Sequence, residues 1–169
     1  MATVPAETSG NTSDFDTLIK ELNHRIWEVR RDACEELGLR ADTRAVPHLQ
    51  RMLNDGVGAV RYAAVESLGK LGDRSSIPAL LKLLKNTHFG SYGPVIESLA
   101  NLKAREAVPS FIELLRDPDA RVRGLAANAL MVMTRQVIAF KAKGSEEERE
   151  QGIQLWEQWW AKNKDAWTP

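Results

Sequence analysis

Few residues in this chain could do chemistry, and they are scattered. The three histidines, His24, His48 and His88, occupy different structural positions in a repeating pattern. His24 and His88 belong to units two repeats apart, roughly 20 Å at ordinary helix-packing spacing, which is too far to share one metal ion. Cys34 falls in a column with Val65, Ile96 and Ala127, so it reads as a buried apolar filler rather than a nucleophile. Glu146 to Glu148 crowd a helix start and have no acid/base partner. No glycine-rich phosphate loop follows a strand, and no strand is expected. The residues therefore predict no catalytic group, no cofactor and no metal site, and the chain reads as a non-enzyme.

The elements around these residues repeat. Leu37, Leu68, Leu99 and Leu130 recur every 31 residues, as do Pro47, Pro78 and Pro109. Val46, Ile77 and Val108 keep the same register, as do Leu22, Leu53, Leu84 and Leu115, and Ala33, Ala64, Val95 and Ala126. A fixed period in this range marks a solenoid, whose units bury their apolar faces only by stacking. Each unit predicts two helices. In the first kind, Val60, Ala64, Val65, Leu68 and Leu71 form an apolar stripe, while Ala59, Tyr62, Ala63, Glu66 and Lys70 face away. Gly72 is placed for a left-handed C′ turn. The second kind starts near Ser76-Ile77-Pro78, with proline in the first turn and Leu80, Leu81, Leu83 and Leu84 buried.

The ends depart from the period. Residues 1–12 read as a flexible tail, and 13–169 as one domain. A capping helix at 13–24, opened by a Ser13/Asp16 capping box, precedes repeats over 25–133. A loop at 134–144 then leads to a C-terminal cap at 145–169. Ser145 and Glu148 form a second capping-box pattern, and Ile153, Trp156, Trp159 and Trp160 are expected to close the core. In the third unit, Phe89-Gly90-Ser91-Tyr92-Gly93-Pro94 replaces the usual Val-Arg start, so that helix should begin late or bend. Gly90 and Gly93 mark either a local irregularity or a dip into which a ligand fits.

Composition sets outer bounds. The 169 residues carry 23 basic and 23 acidic side chains, a formal net charge of zero, which gives no bulk footprint for nucleic acid or an anionic membrane. One cysteine cannot form an internal disulfide. No apolar run is long enough to span a membrane, and the start lacks signal-peptide features. A cytoplasmic, monomeric protein is the expectation.

The columns Val-Arg-x-x-Ala, Leu-Gly-x-Leu-Gly-Asp and Ala-Val-Pro-x-Leu, over roughly residues 14–133, resemble the short bacterial HEAT repeat named after phycobilisome lyases. The ending around Trp156 to Trp160 is similar to the tryptophan-rich helix that closes many bacterial HEAT domains. The resemblance implies an all-α, right-handed α-solenoid of HEAT-like helical hairpins. It also implies an Asp/Arg pair six residues apart that braces each turn and the next repeat, matched by Asp55 with Arg61 and Asp117 with Arg123. The first repeat has His24 with Arg30 and the third Asn86 with Tyr92, so the pair is absent there. The Val-Arg helices resemble those lining a concave face. By position that face would comprise Arg31, Glu35, Tyr62, Glu66, Lys70, Gly93, Glu97, Asn101, Arg121 and Asn128, with Asp32 beside them.

Glu35, Glu66 and Glu97 form a column within that set, either as good helix formers on a solvated face or as an acidic strip for a basic partner. The function that follows is a protein–protein interaction scaffold with a protein partner, and neither nucleic acid nor membrane. The alternatives are an enzyme subunit or maturation factor of the bilin-lyase type, or a structural module of a larger chain.

Overall fold

A computed structural model of the protein describes residues 12–85 and 92–167, and every regular element among them is helical. The tail at 1–11, and with it most of the expected flexible segment, lies outside the described residues, as do Asn86, His88, Phe89 and Gly90. The chain forms two compact units, Met1–Leu71 and Gly72–Pro169.

The first unit holds α1 (Thr12–Glu21), α2 (Trp27–Leu39), α3 (Val46–Met52) and α4 (Gly58–Leu71). Helix α1 starts at Thr12, so Ser13 lies inside it and not at a cap. The hairpin partners are held by the columns read from the sequence: Leu22, Leu37, Leu49, Leu53 and Leu68 are all buried. Helix α4 packs against both α2 and α3. Its buried arc is therefore wider than one stripe and takes in Ala63, Ser67 and Gly69. This corrects the expectation that Ala63 faces away; Ala59, Tyr62 and Lys70 are exposed as expected, and Glu66 is half-buried. The α2–α4 crossing is close because Gly38 has no side chain. A Cβ there would stand 2.8 Å from the Ser67 Cα. At the same crossing the Ser67 hydroxyl donates to the Cys34 carbonyl at 2.8 Å.

The second unit holds α5 (Ile77–Leu84), α6 (Gly93–Asn101), α7 (Val108–Leu114), α8 (Ala120–Thr134) and α9 (Glu146–Asn163). The helices that carry Pro47, Pro78 and Pro109 are each preceded by one 3₁₀ turn that the sequence reading omitted: Thr43–Ala45, Arg74–Ser76 and Arg105–Ala107. Two of these turns are capped by an aspartate, with Asp42 accepting from the Arg44 amide and Asp73 from the Ser75 amide. Leu80, Leu83 and Leu84 are buried on α5, while Leu81 is half-buried. Helix α6 does begin late, at Gly93 with Pro94 in its first turn, and has 9 residues against 14 in α4.

The C-terminal cap is built as the capping box requires. Ser145 accepts from the Glu148 amide, and Glu148 accepts from the Ser145 amide. Helix α9 packs on α7 through buried Ile153 and Trp156. Gly152 lets the Ala139 carbonyl approach, since a Cβ would stand 2.8 Å from it. Trp159 and Trp160 are only half-buried and pack edge-on or tilted with Trp167 and each other, so the seal is made by Ile153 and Trp156.

Gly72 takes φ +70°, as a left-handed C′ residue should. The same column holds Ala41 at φ 54° and Lys103 at φ 49°, where a Cβ is strained. Ala41→Gly and Lys103→Gly are each expected to raise stability by about 0.5 kcal/mol, and Gly72→Ala to lower it by about 1 kcal/mol. Urea denaturation measures both. The same sign for all three would show that this column is not held left-handed in solution.

Candidate interaction surface

The first unit shows how the turns are braced. Arg30 heads α2, and its Nη1 donates to the His24 carbonyl at 2.8 Å and the Arg25 carbonyl at 3.3 Å. Arg61 heads α4 and does the same to the Asp55 and Gly56 carbonyls at 2.8 and 3.3 Å. In the second unit, Arg123 donates to the Asp117 and Pro118 carbonyls at 2.7 and 2.8 Å, and its Nε to the Ala142 carbonyl at 2.8 Å. The acceptor six residues back is main chain, not the aspartate side chain. This corrects the Asp/Arg pair expected within one repeat, and it explains why the clamp persists in the first repeat, where His24 stands in for aspartate.

The carboxylate has a different task. Asp55 accepts from the Val57 amide at 2.8 Å and takes a two-pronged ion pair from Arg30, Nε at 2.7 Å and Nη2 at 2.9 Å. The Asp55 side chain is 8% exposed. Arg30 thereby ties the start of α2 to the turn before α4. The hydrogen bonds from Arg30 hold the Asp55 carboxyl below its usual range, against a smaller upward push from burial. Neighbouring Cys34 is fully buried, and desolvation, followed by the Asp55 and Glu35 charges, pushes its thiol up to about 12. His24 and His48 have separate local roles: His24 Nδ1 accepts from the Ile26 amide, and His48 Nδ1 meets Arg51.

With the interior so assigned, the outward face of each unit can be read. In the first unit Arg31 bonds to Asp32 at 2.7 Å, approaches Glu35 at 3.8 Å and lies over the Trp27 ring at 5.4 Å. Glu35 and Glu66 hold equivalent positions on the packed helices α2 and α4, with Tyr62 45% exposed and Lys70 exposed. In the second unit Glu97, Asn101, Arg121 and Asn128 are exposed on α6 and α8, and Gly93 is half-buried at the head of α6. Arg121 is held by its N-cap neighbour Asp119 at 2.8 Å. Asn101 also lines a cavity of about 520 Å³ with Lys103, Arg135 and Trp167.

The sequence reading missed several apolar members of these surfaces. Leu39 (68%) is exposed in the first unit, and Leu125 (43%) and Val132 (64%) in the second; Trp27 is half-buried beneath Arg31. Only part of this was signalled: the column of Leu39 and Val132 also holds Lys70 and Asn101, whereas Leu125 shares its column with Asp32, Ala63 and Pro94 and stands out little from it.

Asp55→Ala is expected to cost roughly 1–3 kcal/mol, because it strips an acceptor from Arg30 and from a turn amide. Since the folded-state pKa of Asp55 is lowered, its contribution is present above the ordinary carboxylate range and is lost as pH falls through that lowered value. Denaturation as a function of pH should show a flatter acid limb in the variant. In double-mutant cycles Asp55 should couple to Arg30, whereas the Asp117 and Arg123 side chains should act independently. The reverse pattern would restore the within-repeat pair.

Comparison with known proteins adds three findings. Family models described as HEAT repeats and HEAT repeat match residues 15–90 and 107–137. Among solved structures, the chain is similar to a chain of the complex of CpcE and CpcF of phycocyanin lyase from Nostoc sp. PCC7120. That match has 31% identity and a TM-score of 0.64, and covers 73% of this chain and 54% of the other, so this chain spans about half that relative's length. It is also similar in fold to an engineered protein, at 21% identity and a TM-score of 0.53, over 85% of this chain and 68% of that one. No curated protein matches the chain.

Proposed function

The chain is a HEAT-repeat protein, a class that generally mediates protein interactions, and we propose that it is a binding module for a protein partner and not itself an enzyme. Each unit would offer its own contact surface: the outward faces of α2 and α4 in the first, and those of α6 and α8 in the second. The observation that carries this reading is the chemistry of the first face. Exposed Tyr62 and the Trp27–Arg31 stack supply the aromatic and guanidinium anchors that dominate protein interfaces, flanked by the equivalent carboxylates Glu35 and Glu66. Those carboxylates favour a partner with a basic surface or segment. The displaced carboxyl groups support a non-catalytic role. Asp42, Asp55, Asp73, Asp119 and Glu148 each owe their lowered pKa to an ion pair or a turn cap.

A narrower reading rests on the phycocyanin-lyase chain, which was solved in a complex of CpcE with CpcF. Here the partner would be a second chain, and any lyase activity would appear only in the assembled pair. In either reading the helices are preformed, so little ordering cost opposes binding.

Affinity purification with the wild-type chain, followed by titration of the recovered partner, tests the surface. Tyr62→Ala should weaken binding by at least about tenfold. Glu35→Gln with Glu66→Gln should slow association, and wild-type binding should weaken as salt rises. Glu21→Gln with Glu147→Gln serves as the control and should bind as wild type. If the first-face variants and the control bind alike, the partner does not use this face.

A further inference from the structure

The ion pair between Arg30 and Asp55 has one counterpart along the repeat that keeps the aspartate and lacks the cation. Moving along the chain by two periods, Asp55 becomes Asp117 and Arg30 becomes Tyr92. Within the second unit Tyr92 and Asp117 line a cavity of about 520 Å³ together with Leu84, Lys85, Glu113 and Arg116. In the first unit the guanidinium of Arg30 fills the matching position, 2.7 and 2.9 Å from the carboxylate oxygens.

The Asp117 carboxylate keeps its structural duty. Its Oδ1 accepts from the Asp119 amide at 2.8 Å, as Asp55 Oδ1 does from Val57. Among the described residues none gives Asp117 the two-pronged contact that Asp55 receives from Arg30. Arg116 does not supply it, because its guanidinium is spent on Glu150 at 2.8 Å and Glu157 at 3.0 Å. Asp117 and Glu113 thus face the cavity with Lys85 as the remaining cation. The aromatic ring of Tyr92 offers a stacking surface for a planar cation.

We infer that this cavity receives an arginine side chain of a partner segment. Its guanidinium would pair with the Asp117 carboxylate as Arg30 pairs with Asp55, and would stack on Tyr92. A lysine would fit less well, because an ammonium can neither bridge both carboxylate oxygens in the plane nor stack on the ring. This deepens the partner-binding reading given above and rests on it. It places a specific anchor point in the second unit, separate from the α2 and α4 face.

The test uses the full chain and two capped peptides of equal length, one with a single arginine between glycines and serines, the other with neutral citrulline in its place. NMR would follow the Asp119 amide and the Tyr92 ring. The arginine peptide should shift both saturably, and the citrulline peptide should bind roughly tenfold more weakly or not at all. Asp117→Asn retains the Oδ1 that caps Asp119 and should reduce arginine-peptide binding by about tenfold. Tyr92→Arg should fill the site from within, block the peptide and raise the melting temperature. Equal binding of the two peptides, or an Asp117→Asn variant that binds like wild type, would overturn the inference. Neither outcome bears on the Tyr62 and Glu35/Glu66 variants, so the two proposals can fail separately.

Discussion

The clamp from an arginine at the head of each Val-Arg helix to the carbonyls of the turn before it is the contact on which the other features depend. A turn between two short helices leaves main-chain carbonyls pointing away from any helix, and each needs a donor. One guanidinium satisfies two of them, and Arg123 reaches a third on the following loop. It is the only arginine buried among the described residues, at 8% exposure. Because the acceptors are main chain, the side chain six residues back is released for other work. Asp55 uses that freedom to tie α2 to α4, and Asp117 leaves it open beside Tyr92.

Much of this was legible beforehand, and the reasons differ by residue. The leucine columns, the proline positions, the left-handed Gly72 and the Ser145/Glu148 box each depend on local geometry or on period, which a sequence displays directly. The buried face of Ala63 was not legible, because an alanine is equally at home on either side and the second neighbour of α4 decides. Nor was the identity of the acceptor for Arg61 and Arg123, since a residue spacing of six brings side chain and main chain equally near. Ala41 and Lys103 hold left-handed backbone that neither residue type signals; only their shared column with Gly72 does. The surface residues Glu35, Glu66, Glu97, Asn101 and Asn128 were placed by period and are at least partly exposed, but period carries no information about what they bind.

The division of labour has a functional consequence. Stability comes from buried leucines, from a glycine–serine crossing at Gly38 and Ser67, and from clamps that face the turns. Little of it comes from the outward residues of the Val-Arg helices, where exposed charges contribute only tenths of a kcal/mol. Those positions can therefore vary with the partner while the repeat stays intact. Tyr62, Leu125 and Val132 expose apolar surface on these faces, and the proposed partner contact would cover it.

The main-chain clamp is tested most directly by comparing denaturation midpoints of Arg123→Lys, Arg123→Ala and Asp117→Asn. A lysine keeps the positive charge but cannot reach three carbonyls at once. Arg123→Lys is expected to fall nearly as far as Arg123→Ala, while Asp117→Asn stays close to wild type. A wild-type midpoint for Arg123→Lys, or a loss in Asp117→Asn as large as in Arg123→Ala, would contradict the main-chain clamp and return the brace to a simple pairing of opposite charges.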